Sequence, residues 1–278
     1  MGSSDNKVVD TARQYYNSSD ADNFYHCIWG GEDIHIGMYD HPEEDIAAAS
    51  RRTVEMMAAK LAGLGPQSQV LDCGSGYGGA ARYLARRFGC RVTALNLSAV
   101  ENERHRRKNR EQGLDHLITV VEGSFEDIPF PADTFDVAWS QDAILHSGNR
   151  GQVVAEVARV LKPGGEFIFT DPMRTDDCPQ EVLQPILDRI LLEDLGSPGF
   201  YRQAAGQAGL QESCFEAYTP QLVRHYARIL EETEAREAEI REKVSEDYLA
   251  RMKKGLGHWV DGGEKGHLTW GIFHFKTT

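Results

Sequence analysis

A short apolar run that passes directly into glycines restricts this chain more than any other feature. Val70-Leu71-Asp72-Cys73-Gly74-Ser75-Gly76-Tyr77-Gly78-Gly79 leads into a helix with Ala80, Ala81, Leu84 and Phe88 on one face. Glycines at a strand-to-helix turn let the backbone come close to a ligand, because they carry no side chain and tolerate positive φ. Gly74, Gly76 and Gly79 also satisfy the GxGxxG spacing of dinucleotide sites, so an NAD-dependent oxidoreductase has to be weighed. Asp72 speaks against it. A dinucleotide brings its pyrophosphate to this turn and to the helix N-terminus, where a protein carboxylate would repel it. A cationic nucleoside without phosphate, S-adenosylmethionine, suits an acidic strand end.

Strands alternate with helices on both sides of this turn, which predicts a parallel sheet with crossovers. Strands are expected at 69–73, 91–95, 117–122, 135–140 and 166–170, with helices between them. A helical pattern at Ile46, Ala49, Val54, Met57, Leu61 and Leu64 precedes the first strand, after an aromatic-rich stretch over 1–42. Beyond Asp171 the alternation weakens. Helices are expected over 180–195 and 198–208, a strand over 211–218, and a long charged helical region over 220–254. A glycine-rich segment and a last strand at 268–275 follow. The fold class is α/β, Rossmann-like. Its units are an N-terminal cap (1–65), a cofactor-binding core (66–171), an acceptor-binding lid with late core elements (172–262) and a last core strand (263–278).

Two nucleoside contacts follow from the sheet. The second strand of such sheets ends in an acid for the ribose hydroxyls. Here Asn96 stands in that place, followed by Leu97, and an amide can still bond a hydroxyl. After the third strand, Ser124 and Phe125 are candidates for a polar contact and for ring packing at the adenine.

Charge narrows the partners. The net charge of −13 repels phosphate backbones, so no nucleic-acid partner is expected. It is read either as simple solubility or as adaptation to high internal salt. No apolar run approaches a membrane span. The first ten residues hold no apolar signal-peptide core, and the expected location is the cytoplasm. The five cysteines are odd in number, scattered and without a CxxC pair, which predicts reduced thiols and no metal site.

The chain resembles the class I S-adenosylmethionine-dependent methyltransferases over nearly its whole length. The resemblance rests on the glycine turn, on the fragment from Trp139 to His146, on the fragment from Arg159 to Gly165, and on Thr170-Asp171-Pro172-Met173. More narrowly, it resembles the sarcosine/dimethylglycine N-methyltransferases through the fragment from Gln184 to Ile190, His225-Tyr226, the fragment from Met252 to Trp259, and Leu268-Thr269-Trp270-Gly271. This implies a seven-stranded sheet whose last strand is antiparallel, with the lid placed over the acceptor. The Trp139 to His146 fragment also resembles phosphoethanolamine methyltransferases. That likeness implies Asp142 and His146, with Tyr16 (or Tyr15) from the N-terminal helix and Tyr25 nearby, around an acceptor amine. The same likeness implies Gln141, in this fragment, and Tyr16 as further cofactor contacts.

Methyl transfer to nitrogen needs a free lone pair in line with the donor. Alkylamines are mostly protonated at neutral pH, so His146 is the expected base or proton relay. The acceptor carboxylate calls for a cation. Arg189 is the first choice, then Arg174 and Arg202. Aromatic faces suit the quaternary ammonium product, and Tyr25, Tyr201, Tyr226, Trp259 and Trp270 are candidates, with His225 beside them. Glycine, phosphoethanolamine and lipid acceptors remain alternatives on the same fold. The polar lid, with Glu231, Glu232, Glu234, Arg236 and Glu237, offers no obvious apolar tunnel for a lipid.

Overall fold

The computed structural model describes residues 19–30, 32–188 and 192–278. Seven strands form one sheet: β1 (Gln69–Cys73), β2 (Arg91–Asn96), β3 (Ile118–Glu122), β4 (Phe135–Gln141), β5 (Leu161–Arg174), β6 (Leu210–Ala217) and β7 (Leu268–Thr277). They lie in the order β3-β2-β1-β4-β5-β7-β6, and β7 runs antiparallel to both of its neighbours. The pairings among β1 to β5 are parallel. This is the expected Rossmann-like sheet with an antiparallel last strand. The strand order reverses at β1, which sits between β2 and β4. Such a reversal opens a crevice at the carboxyl ends of the strands, where ligands of α/β sheets bind.

The helices described are α1 (Ser19–Trp29), α2 (Ile46–Ala58), α3 (Gly79–Phe88), α4 (Ala99–Glu111), α5 (Arg150–Val160), α6 (Gln184–Leu187), α7 (Pro198–Gln207), α8 (Thr219–Ala235), α9 (Glu237–Ile240) and α10 (Glu246–Glu264). Alternate strand residues face opposite layers, as the two-residue period of a strand requires. Val70, Val137, Trp139, Ile168 and Ile272 pack toward α1, α2, α3, α8 and α10. Leu71, Ala138, Phe167, Phe169, Phe273 and Phe275 pack toward α5 and α7. Phe169 and Phe273 stack across β5 and β7 with centroids 5.1 Å apart.

The helical region expected over 220–254 divides into three helices. α8 stops at Ala235, α9 adds one turn, and α10 starts afresh after Ser245, whose hydroxyl accepts the Tyr248 N–H. The glycines of the expected glycine-rich segment lie inside α10. A Cβ on Gly262 would stand 2.7 Å from Ile186 Cδ1, and one on Gly263 would stand 2.6 Å from Val223 Cγ2. Close packing on α6 and α8 therefore outweighs the ~1 kcal/mol that each glycine costs a helix. The helix expected over 180–195 shrinks to a 3-10 turn at Gln180–Val182 and the short α6, and residues 189–191 lie outside the described residues.

Between α1 and α2, residues 32–39 form an irregular strap over the crevice. Glu32 pairs with Arg82 and, at 2.8 Å, with Lys108, and Asp33 pairs with Arg51 at 2.8 Å. The backbone of the strap is held from below. Ser50 Oγ and Thr53 Oγ1 donate to the carbonyls of His35 and Ile36 at 2.9 and 2.8 Å. No described helix is long and apolar enough to cross a membrane.

Candidate functional site

Three adjoining chambers lie where the strap meets the carboxyl ends of the strands, and Ile34 of the strap lines all three. The first, of about 640 Å³, is bounded by Gly74, Gly76, Asn96, Leu97, Glu101, Phe125, Gln141 and His146 among others. The third, of about 320 Å³, adjoins it at Gly74, Gly76 and Gln141 and adds Asp33, His35, Asp72 and Ser75. The second, of about 460 Å³, meets the first at Asp142 and His146 and runs between α1 and α8.

The tip of β1 carries Asp72, which is 3% exposed. Burial lifts its carboxyl to about 7, against the opposing pull of His35 and Arg82 and with Asp33 adding to the rise. Gly74 follows in a left-handed conformation (φ +74), and a Cβ there would sit 2.4 Å from Ala143 Cβ. The turn thus excludes a side chain both by its dihedral and by the close approach of the next strand's loop.

At the tip of β2, the Asn96 amide donates to Glu101 at 2.9 Å. Glu101 comes from the first turn of α4 and is buried, which lifts its carboxyl to about 7. The carboxylate sought at the end of β2 is therefore supplied from the following helix.

At the tip of β4, the Trp139 indole meets the Gln141 carboxamide at 3.0 Å. An indole N–H can only donate, so the carboxamide oxygen faces it and the amide nitrogen turns the other way. Gln141 Nε2 and Asp72 Oδ2 are both buried without a hydrogen-bond partner. One unmet donor and one unmet acceptor border the third chamber.

Asp142 takes up a left-handed conformation (φ 48) that is unusual for a residue with a side chain. Its two carboxylate oxygens accept from the Ile36 N–H and the Trp270 indole, each at 2.7 Å. It thereby ties the strap and β7 to the tip of β4. His146 closes a 3-10 turn at Ile144–His146. Asp171 steadies that turn, accepting from the Leu145 N–H at 3.0 Å and from the Tyr201 hydroxyl at 2.6 Å.

Aromatic rings wall the second chamber. The Tyr25 and Trp29 centroids are 5.1 Å apart, Trp29 and His225 are 5.5 Å apart, and Trp259 backs Tyr226 at 5.0 Å. Pro172, Leu145 and His35 complete the lining.

A methyltransferase-domain family model matches residues 71–169, which span β1 to β5. A sarcosine/dimethylglycine N-methyltransferase of Halorhodospira halochloris is 60% identical over 272 residues, covering 98% of both chains. The chain belongs to the sarcosine/dimethylglycine N-methyltransferase family. A dimethylglycine N-methyltransferase of Parasynechococcus marenigrum is 50% identical over 277 residues, 99% of both chains. A crystal structure from Galdieria sulphuraria, designated a sarcosine dimethylglycine methyltransferase, superposes with a TM-score of 0.90 at 45% identity. It covers 95% of this chain and 99% of its own. As a member of this family the chain is an enzyme, and its methyl donor is S-adenosylmethionine.

Within this methyltransferase, Gly74, Gly76, Asn96, Leu97, Phe125, Gln141, Asp142 and His146 line the first chamber, and Asp72 lines the third. Tyr25, His225 and Tyr226 join Asp142 and His146 around the second. Other expected residues lie elsewhere. Ser124 closes its own turn, its hydroxyl accepting the Glu126 N–H at 3.1 Å. Tyr201 is committed to Asp171 in the opposite layer. Arg202 pairs with Glu212 at 2.8 Å and lies over Phe215, where β6 draws it to the outer face. Arg174 faces Asp194 at 3.8 Å. Trp259 stands one layer behind the chamber and donates to the Ile186 carbonyl at 2.9 Å. Tyr16 and Arg189 fall outside the described residues. Among the described residues, no lysine or arginine lines the second chamber. Trp29, Asp33, Ile34, His35 and Glu101 belong to the site and were not singled out from the sequence.

Proposed function

We propose that the enzyme methylates the nitrogen of sarcosine and dimethylglycine, giving glycine betaine as an osmoprotectant. The reading rests on the second chamber, which is lined by Tyr25, Trp29 and Tyr226 and meets the first at Asp142 and His146. Aromatic faces attract the cationic product through the ring quadrupole. The names of the relatives point to the same acceptors.

The unmet Asp72 Oδ2 and Gln141 Nε2 suit the cofactor's methionine end, where the carboxylate would take its ammonium and the amide its carboxylate. Asn96, Glu101 and Phe125 line the first chamber, where the two polar side chains would hold the ribose hydroxyls and the ring would pack on the adenine. The cofactor supplies an electrophilic methyl group. The protein brings the amine into line with it and excludes water. His146 borders both chambers and takes the proton of the amine, which is mostly protonated at neutral pH since alkylamine pKa values lie near ~10. The family resemblance alone assigns Tyr16 a part in the catalysis. Asp142 positions the strap.

The cap, core, lid and last strand divide as 1–65, 66–171, 172–262 and 263–278. The enzyme works in the cytoplasm on a small amino acid and not on nucleic acid, in keeping with its net charge of −13.

An acceptor screen with methyl-labelled S-adenosylmethionine tests the proposal across glycine, sarcosine, dimethylglycine, phosphoethanolamine and a sterol. Label should enter dimethylglycine and sarcosine. Label confined to phosphoethanolamine or the sterol would refute it.

A further inference from the structure

The second chamber has to recognise a carboxylate, yet its described lining contains no arginine or lysine. It does contain a histidine whose protonation is dictated from behind. The Gly37 N–H points at Nδ1 of His225 at 3.2 Å, and the Tyr39 hydroxyl meets the same nitrogen at 2.8 Å. A backbone N–H can only donate, so Nδ1 has to accept and carries no proton. Tyr39 is 4% exposed, and burial pushes its phenol above the ordinary value, so it keeps a proton to donate. Gly37 cannot swing away to relieve the contact. Its neighbour Met38 donates to the Ala49 carbonyl at 3.0 Å, and a Cβ on Gly37 would lie 2.7 Å from Ala49 Cβ. The imidazole proton is therefore on Nε2. His225 is part of the chamber lining, whereas Gly37 and Tyr39, which hold its Nδ1, are not, and Nε2 is buried at that wall.

We infer that His225, held as the neutral Nε2–H tautomer by Gly37 and Tyr39, donates to the carboxylate of the acceptor and sets the preference for amino acids over amino alcohols. This rests on dimethylglycine being an acceptor. A neutral donor pairs with the anionic end of the substrate through a charge-assisted hydrogen bond. It places no positive charge beside the amine that must become neutral to react. Tyr39 is a positioning residue, since it acts through His225.

The first measurement is whether the parent enzyme methylates dimethylglycine. Failure there overturns the functional reading and the carboxylate role together, whereas a parent that does methylate it leaves the variants to decide the role of His225. His225→Leu should raise the KM for dimethylglycine roughly ten- to a hundredfold, as the loss of a hydrogen bond to a charged group does. Its kcat and S-adenosylmethionine affinity should stay near parental values. His225→Gln, whose amide nitrogen can occupy the place of Nε2, should restore most of the loss. His225→Asn, whose amide reaches only the Nδ1 position, should behave like the leucine variant and replaces it if leucine prevents folding. Inhibition by glycine betaine should weaken in step with the KM, while inhibition by choline, which has no carboxylate, should not change. Tyr39→Phe should give a smaller KM increase of the same pattern. A parental KM in His225→Leu or His225→Asn would overturn the inference. So would equal weakening toward betaine and choline, or a KM loss found in Arg189→Ala and absent at His225.

Discussion

Asp72→Asn should make the cofactor-free enzyme more stable at pH 8 and, in the same protein, weaken its hold on S-adenosylmethionine. Burial raises the Asp72 carboxyl from 3.8 to about 7. Between those values the folded chain keeps a proton that the unfolded chain has lost, so stability falls as pH rises through that window and stays low above it. A rise of this size corresponds to ~4 kcal/mol at 1.36 kcal/mol per pH unit. Asparagine cannot ionise and escapes the whole penalty. It introduces instead a buried amide with donors to satisfy, which costs ~1–3 kcal/mol. The balance is a gain of ~1–3 kcal/mol at pH 8, or several degrees in Tm. At pH 5, where the parent carboxyl is already neutral in the folded chain, that gain should vanish or reverse. Saturating S-adenosylmethionine should close the gap at pH 8, because its cationic end compensates a carboxylate and not an amide. Thermal unfolding of both proteins at pH 5 and 8, with and without cofactor, reads all four cases. A stability difference that is the same at both pH values would refute the reasoning, as would unchanged cofactor affinity by calorimetry.

His146→Ala should lower kcat by ~10²–10⁴, the usual contribution of a positioned base, with cofactor affinity near the parental value. The parent rate should climb toward alkaline pH as the free amine fraction grows, and a variant with parental turnover would leave His146 a structural role. Glu32→Gln removes the charge that fastens the strap to Arg82 and Lys108. Dissociation of S-adenosylhomocysteine, followed by stopped-flow fluorescence, should be several-fold faster than in the parent, and an unchanged rate would mean that these pairs do not hold the strap.

The cofactor half of the site was legible in the sequence because it is built from strand ends. Once the glycine turn located β1, the strand-and-helix alternation placed Asn96 and Phe125 at the same edge of the sheet, and the family resemblance added Gln141 and His146. The acceptor half is assembled from residues as distant as Trp29, Pro172 and His225, and no periodicity links them. The strap has no repeating pattern to read, which hid Ile34 and His35. Glu101 carried a sign that points the wrong way. Ser98 followed three residues later by a glutamate resembles a capping box. Ser98 does accept the Glu101 N–H at 3.2 Å, but the glutamate side chain turns to Asn96 and the first chamber. Arg174 and Arg202 looked available as carboxylate partners because their acids, Asp194 and Glu212, are ten or more residues away in sequence.

Ile34 gives the cofactor and acceptor chambers a common wall. Spent cofactor has to leave after every transfer, and lifting the strap to release it also removes a side of the chamber that holds the newly methylated amine. If release of the spent cofactor lifts the strap, the product should leave with it, so a pulse of labelled sarcosine should yield free dimethylglycine before betaine; labelled betaine appearing ahead of free dimethylglycine would refute this.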